Sequence, residues 1–271
     1  MTKETFTSCG GITASAERVL HPASNEEADK PQGAFLPTGN CRSYGNTCLP
    51  AGGSDIATNA MNGLLAFERQ TGFLRAEAGV LLAQILDAIM GEGWFLPVTP
   101  GTRYVTMGGA LTNDVHGKND HGTGTFGCHV RRFELLRSNG VRMVCSPTAN
   151  PGLFAATIGG MGLTGVVTWI EIQLMRAASP HVMQISHRFA NLDDYFDRLA
   201  DADDAHEYGV SWIDSLANGS ALGRGVLMLG DHAGPDIGPK LANGSAMARP
   251  ALRISPTSSP KMKKAYAATI T

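Results

Sequence analysis

The chain has 271 residues, 43% of them hydrophobic, with 22 Lys and Arg against 24 Asp and Glu and a net charge of −2. That content supports a real core in one large domain or two modest ones and excludes a disordered chain. The near-neutral balance excludes nucleic acid as the main partner, because phosphate-backbone binding needs a strongly basic surface.

A polar helix is expected near residues 24–30, and a short apolar strand over 34–37 feeds a turn, Gly39-Asn40-Cys41-Arg42-Ser43-Tyr44-Gly45. Residues 73–78 read as a strand. Residues 81–92 read as a helix, with Leu82, Ile85, Leu86 and Ile89 on one face and Gly91 and Gly93 as its stop. Residues 95–98 form a short strand before a glycine-dense loop. Residues 133–137 and 141–145 flank Ser138-Asn139-Gly140, and Asn-Gly between two strand-like runs signals a hairpin. Asn150-Pro151 gives an N-cap and a first-turn proline, opening a helix through residue 158 that Gly159-Gly160-Met161-Gly162 breaks. Residues 166–175 alternate as a strand. Beyond a boundary near 175–180 come a strand over 182–186 and a helix capped by Asn191, with Asp193 and Asp194 in its first turn. Strands follow near 208–213 and 225–229. The element order predicts an α+β fold rather than a doubly wound sheet. Residues 233–271 are rich in Pro, Gly, Ser and Lys and read as a poorly ordered tail.

The five cysteines, at 9, 41, 48, 128 and 145, match no zinc or C-x-x-C spacing, so reduced thiols are expected. His116, His121 and His129 fit no common metal spacing either, and no metal is expected. No run of 18 apolar residues exists, and the polar segment 1–11 lacks the apolar core of a signal peptide. A cytoplasmic location is the expectation.

Glycine is abundant, 33 of 271, and clusters at 91–127 and 159–165. Glycine has no Cβ, so backbone N–H groups in such loops could approach a diphosphate and a flat ring closely. The candidates are residues 39–45, Pro100-Gly101-Thr102, and Thr106 with Gly108, Gly109 and Ala110. The turn at 39–45 is not a G-x-G-x-x-G, which argues against a Rossmann site. His116-Gly117-Lys118 then sets two ionisable side chains beside whatever binds. By spacing alone, Lys118 reads equally well as a solvated lysine, and Tyr44 as a rim aromatic or a pocket wall.

Together, Arg42-Ser43-Tyr44-Gly45, the run from Pro97 to Ala110, Asp114-Val115-His116-Gly117-Lys118-Asn119, Phe126-Gly127-x-His129-Val130 and Gly159-Gly160-x-Gly162-Leu163-Thr164-Gly165 resemble the FAD-binding PCMH-type domain of the vanillyl-alcohol-oxidase superfamily. Within it they are closest to the family of decaprenylphosphoryl-β-D-ribose 2′-epimerase flavin subunits and related sugar-alcohol and aldonolactone oxidases. The resemblance covers roughly residues 8–232. It implies a two-subdomain FAD-binding domain over residues 1–175, an incomplete α+β substrate domain over 176–232, and a tail over 233–271.

The resemblance also implies roles. Gly39, Asn40, Cys41, Arg42, Ser43, Tyr44, Gly45, Pro100, Gly101 and Thr102 would hold the diphosphate and ribityl of FAD. Thr106, Gly108, Gly109, Ala110, Asn113, His116 and Gly117 would line the flavin ring, with Gly162 and Val167 on its far side. Tyr44, His116 and Lys118 would face the substrate, and Trp212 would close over it. The implied reaction oxidises a secondary hydroxyl of a sugar, free or on a polyprenyl phosphate, and passes hydride to flavin N5. A partner NADH-dependent reductase would complete an epimerisation, and a lipid-linked substrate would bring peripheral association with the inner membrane face. The alternatives are a non-catalytic FAD-binding remnant and an aldonolactone or alditol oxidase. Arg42 stands where some members carry the histidine that attaches FAD, so non-covalent FAD is expected. Asp120 and Met161 also depart from the pattern. Relatives continue past position 271, so the chain is expected to be C-terminally truncated, with an unpaired sheet edge.

Overall fold

The computed structural model describes residues 4–7, 9, 18–24, 35–45, 47, 53–202, 205–237 and 266–269. A small parallel sheet comes first, from β1 (Arg18–Leu20), β2 (Phe35–Thr38) and β3 (Ser54–Ala57), in the order β1-β3-β2. All four residues of the central β3 are buried, as a strand covered on both faces must be. The strand expected at 34–37 is β2, one residue later. Beyond residue 24, the helix expected at 24–30 lies outside the described residues.

The next unit is an antiparallel sheet with helices on one face. β4 (Leu64–Glu68) and β5 (Phe73–Glu77) form a hairpin turned at Gly72, φ +75°. Next comes α1 (Leu82–Ile89), which buries Leu82, Ala83, Ile85, Leu86 and Ile89. It ends in a 3₁₀ turn over Met90–Glu92, closed by Gly93 at φ +75°. The strand expected over 95–98 shrinks to β6 (Trp94–Phe95), because Leu96 and Val98 go into the core without strand partners. Two short helices follow, α2 (Met107–Thr112) and α3 (Asp120–Thr123). β7 (Val130–Leu136) and β8 (Arg142–Cys145) make the expected hairpin, with Gly140 at φ +84° and the Val141 N–H donating to Asn139 Oδ1 at 3.0 Å. α4 (Pro151–Thr157) starts on its proline as expected. Asn150 does not cap it, however. Its left-handed backbone turns the side chain away, and Nδ2 donates to Val144 O at 2.9 Å. β9 (Val166–Gln173) completes the sheet in the order β4-β5-β9-β7-β8. Apolar side chains of β5, β7 and β9 meet α1 and α2 in the main core, around Leu74, Ile85, Met107, Phe133 and Ile170.

β10 (Met175–Arg176) pairs with β6 and leads into a second sheet. That sheet, here called the cap, holds β11 (His181–Phe189), α5 (Leu192–Ala202), β12 (Tyr208–Ile213) and β13 (Gly225–His232). Asn191 does cap α5, its Oδ1 accepting the Asp194 N–H at 3.0 Å. Tyr195 and Leu199 of α5 pack on Phe189, Leu227 and Leu229. Within the stretch expected to be a poorly ordered or truncated tail, β14 (Tyr266–Thr269) pairs with β11, giving the order β12-β13-β11-β14. The edge of β11 that would have stood open offers the backbone groups this pairing takes up. The architecture is α+β, with two sheet-bearing subdomains followed by the cap.

Candidate functional site

A cavity of about 420 Å³ opens where the small parallel sheet meets the larger subdomain. Its walls come from two loops far apart in sequence. Gly39, Asn40, Cys41, Arg42, Ser43 and Tyr44 line one side, and Thr106, Gly108, Gly109 and Asn113 the other, with Val167 of β9 at the base. Asn40 ties the loops together, its Nδ2 donating to Tyr104 O at 2.6 Å.

The two loops do different work. In the second, the backbone N–H groups are already spent. Met107 N–H donates to Val80 O at 2.8 Å, Gly108 N–H to Ala78 O at 2.7 Å, Gly109 N–H to Thr106 Oγ1 at 3.1 Å and Ala110 N–H to Thr106 O at 2.8 Å. The sequence-based expectation that this run offers donors to a diphosphate is therefore corrected. Its glycines serve close packing instead, since a Cβ on Gly108 would stand 2.9 Å from that of Ala78. In the first loop, Cys41 adopts φ +50°. Among the described residues, the N–H groups of Asn40, Arg42 and Ser43 have no protein partner. The adjacent unspent amides of Arg42 and Ser43, following the left-handed Cys41, form a concave anion-binding turn, and the exposed Arg42 adds positive charge.

Several expected residues stand outside the lining. Gly45 closes the turn at φ +63°. Pro100, Gly101 and Thr102 are not among the lining residues, and Thr102 Oγ1 accepts the Tyr104 N–H at 3.2 Å. Ala110 is wholly buried in the main core, because α2 turns that face to the sheet. Gly117 is buried where a Cβ would stand 2.6 Å from Asn119 Oδ1 and 3.2 Å from Thr99 N. Gly162, at φ +78°, packs on the ring of Pro37.

His116 follows the lining residue Val115 at the cavity's edge, with its side chain 74% exposed. Its Nδ1 is 3.3 Å from Gly117 O and 3.7 Å from Asp120 Oδ2. Lys118 is half-buried and carries the contact to the cap, its carbonyl accepting the Gly209 N–H at 2.7 Å. Tyr44 is exposed at the mouth. Trp212 is exposed on β12 and does not line the cavity. His121 and His129 each turn a ring nitrogen to a carbonyl oxygen, of His206 and Thr123 respectively. Among the described residues no three His, Cys, Asp or Glu side chains stand together to hold a metal ion.

Sequence reasoning missed Thr38, Thr58, Ala78, Thr112 and Val115, which also line the cavity. Met161, a departure from the family pattern, lines it too, at φ +52° inside a glycine run. For Thr38 and Thr58 the signal lay in β3, which the reading did not foresee. Thr58 Oγ1 donates to Thr38 O at 3.2 Å, and Thr38 Oγ1 donates to Asp55 Oδ1 at 3.1 Å. Asp55 is fully buried and its Oδ2 has no hydrogen-bond partner among the described residues. Burial pushes its carboxyl up to about 6, against the lowering effect of the Thr38 hydrogen bond.

Most of the cavity's lining, all but Met161 and Val167, falls within residues 23–146, which match the FAD binding domain family. This part of the chain is similar to FAD binding domains. Decaprenylphosphoryl-beta-D-ribose oxidase of Mycolicibacterium smegmatis is 34% identical over 224 residues, which are 82% of this chain and 49% of that protein. An uncharacterised protein of Streptomyces coelicolor is 43% identical over 161 residues, 59% of this chain and 43% of that one. A putative D-arabinono-1,4-lactone oxidase of Neurospora crassa is 27% identical over 119 residues, 44% of this chain and 21% of that one. The chain thus spans about half, or less, of the length of the curated relatives it matches. The turn at 40–43 fits the diphosphate of FAD, and the crevice walled by Gly108, Gly109 and Val167 has the small, apolar lining a flat ring needs.

Proposed function

We propose that this chain is the flavin-binding part of an oxidoreductase that converts a secondary hydroxyl of a sugar to a ketone. The observation that supports this best is the cavity shared by the 39–44 turn and the 106–109 crevice. Asn40, Arg42 and Ser43 would hold the diphosphate, and Gly108, Gly109 and Val167 would flank the ring, without a covalent bond. When bound, FAD supplies the acceptor for the hydride that leaves the substrate carbon.

The chain's own groups deal with the proton and the charge. As the C–H hydride departs, the hydroxyl must lose its proton to form the C=O bond. His116 is the base, because Nδ1 lies beside Gly117 O and Asp120, which leaves Nε2 to accept. Lys118 offsets negative charge developing on the substrate oxygen or pairs with a phosphate. Tyr44 at the mouth and Trp212 on the cap bracket the sugar. The first relative is named for a polyprenylphosphoryl ribose, which favours a lipid-linked sugar phosphate here. Such a substrate brings the protein to a membrane surface, and an NADH-dependent reductase acting on the ketone would complete an epimerisation. No helix among the described residues is long and apolar enough to cross a membrane.

The visible absorbance of the purified chain, before and after acid precipitation, tests this reading. The expected result is a flavin band that moves to the supernatant on precipitation and bleaches anaerobically with a sugar substrate. A colourless chain that also fails to take up added FAD would overturn it. A band that stays with the pellet would overturn the non-covalent part alone.

A further inference from the structure

A buried polar network lies on the seam between the larger subdomain and the cap. His232, at the end of β13, has a side chain only 8% exposed. Its Nδ1 lies 2.7 Å from Ser179 O, in the segment that joins β10 to β11. A carbonyl oxygen only accepts, so Nδ1 carries the hydrogen, and Nε2 faces the Tyr208 hydroxyl and, at 4.0 Å, Glu207 Oε1. Tyr208 OH stands 3.0 Å from that nitrogen. Burial, then the charge of the Glu207 carboxylate and its hydrogen bond with the phenol, then Asp231, push the Tyr208 phenol far above the ordinary tyrosine range, so it stays protonated between His232 and Glu207. The His232 ring also meets Phe95 of β6 edge-on, with centroids 4.9 Å apart. One imidazole thus touches the segment joining β10 to β11, the cap strand β12 and, through Phe95, β6.

The next residue after Tyr208 is Gly209, whose N–H donates to Lys118 O at 2.7 Å. The cap therefore docks on the His116–Lys118 loop one residue from the tyrosine that His232 holds. Asp231 secures the other flank, accepting from Glu207 N–H at 2.9 Å and contacting His206 Nδ1 at 2.7 Å.

We propose that His232 is a positioning residue that, through its hydrogen bonds to Ser179 and Tyr208, clamps β12 onto the Lys118 carbonyl and so fixes the cap against the His116–Lys118 loop. The clamp is a matter of hydrogen bonding and not of ring packing alone. Its meaning for catalysis rests on the function proposed above, but the docking itself does not.

Hydrogen exchange of the Gly209 amide, followed in the full chain with α1 amides as internal reference, tests this. His232→Phe keeps an aromatic ring against Phe95 and loses both hydrogen bonds. His232→Asn loses the ring and keeps a donor toward Ser179 O. Gly209 exchange should rise about tenfold or more in the Phe variant and stay within about threefold of wild type in the Asn variant, two net hydrogen bonds being lost in one and one kept in the other. Tyr208→Phe, which removes one hydroxyl, should give about a fivefold rise and serves where His232→Phe does not fold. Unchanged Gly209 exchange in both Phe variants, or an Asn variant as labile as His232→Phe, would overturn the clamp. Flavin content is read on the same samples. A colourless protein whose Gly209 exchange still responds would sink the flavoprotein reading while supporting the clamp.

Discussion

Gly39 and Thr106 touch so closely that a side chain at 39 would collide with the Thr106 hydroxyl. That hydroxyl is also the cap of α2, accepting the Gly109 N–H at 3.1 Å. The two loops that wall the cavity, already tied by Asn40 to Tyr104 O, therefore also meet at this hydroxyl, and a change on either is felt on both.

Gly39→Ala should push Thr106 off its cap. The expected cost is about 1–2 kcal/mol in stability, from the lost cap and local overpacking, with FAD binding weakened about tenfold. Thr106→Ala loses the cap but makes room for a Cβ at 39. The double variant should thus lose clearly less than the sum of the two singles. Thermal melts and FAD titrations of the four proteins decide this, and strictly additive losses would rule the contact out.

Asp55 gives a pH signature of opposite sign to an ion-paired carboxylate. Its folded value of about 6 lies above the ordinary 3.8. Between those values the folded state holds a proton that the unfolded state has released. Stability is therefore greatest below about pH 4 as far as Asp55 is concerned, falls as pH rises through 6, and then levels. Asp55→Asn keeps an acceptor for Thr38 and never ionises. It should match wild type near pH 4 and exceed it by up to about 3 kcal/mol at pH 7–8. Denaturant unfolding at both pH values measures the difference, and parallel curves for the two proteins would exclude an ionising Asp55.

These two residues also mark what the sequence made legible. Gly39 stood out because its glycine-rich turn follows a short apolar strand, and the hairpin at Asn139-Gly140 and the Asn191 cap were readable for the same local reason. Asp55 did not stand out, because β3 is four residues long and buried throughout, with no alternation to betray it. β4 escaped notice too, since its edge position leaves Leu64 and Leu65 exposed. The glycines at 108 and 109 were read as ligand contacts through backbone N–H. Only the three-dimensional pairing with Ala78, Val80 and Thr106 shows those groups already occupied. The network around His232 was invisible for a stronger reason, as Ser179, Tyr208 and His232 are brought together by the return of β13 across the cap.

Glu171 carries the contrasting electrostatics on the outer face of the large sheet. Arg75 grips Oε2 through Nε and Nη2 at 3.1 and 2.6 Å, and Arg132 reaches Oε1 at 3.1 Å. Burial opposes ionisation, but the hydrogen bonds from Arg132 and Arg75 outweigh it and hold the Glu171 carboxyl below its ordinary range. A lowered value means stability that is present above about pH 4.5 and lost as pH falls further. Glu171→Gln should cost about 1–2 kcal/mol at pH 7, the size expected for a networked and partly screened site. The gap should narrow at pH 3. A gap that is equal at pH 7 and pH 3 would show the carboxylate charge to be irrelevant.

His116 decides whether the proposed chemistry is real. Its ring sits at the edge of the cavity, with Nδ1 beside Gly117 O at 3.3 Å and Asp120 Oδ2 at 3.7 Å. Both neighbours favour hydrogen on Nδ1, which leaves the Nε2 lone pair for a substrate proton. His116 lines no part of the cavity itself, so removing it should leave FAD binding intact. His116→Ala is expected to yield a yellow protein with wild-type flavin content. Its flavin should be reduced by the sugar about 10²-fold more slowly or worse, the usual size of a general-base effect. Asp120→Asn keeps a neighbour for Nδ1 and should slow reduction by less than about tenfold. Anaerobic single-turnover reduction followed by flavin absorbance measures both. If His116→Ala reduced its flavin at the wild-type rate, the proton would have to leave by another group, and Tyr44 at the cavity mouth would be the next to replace.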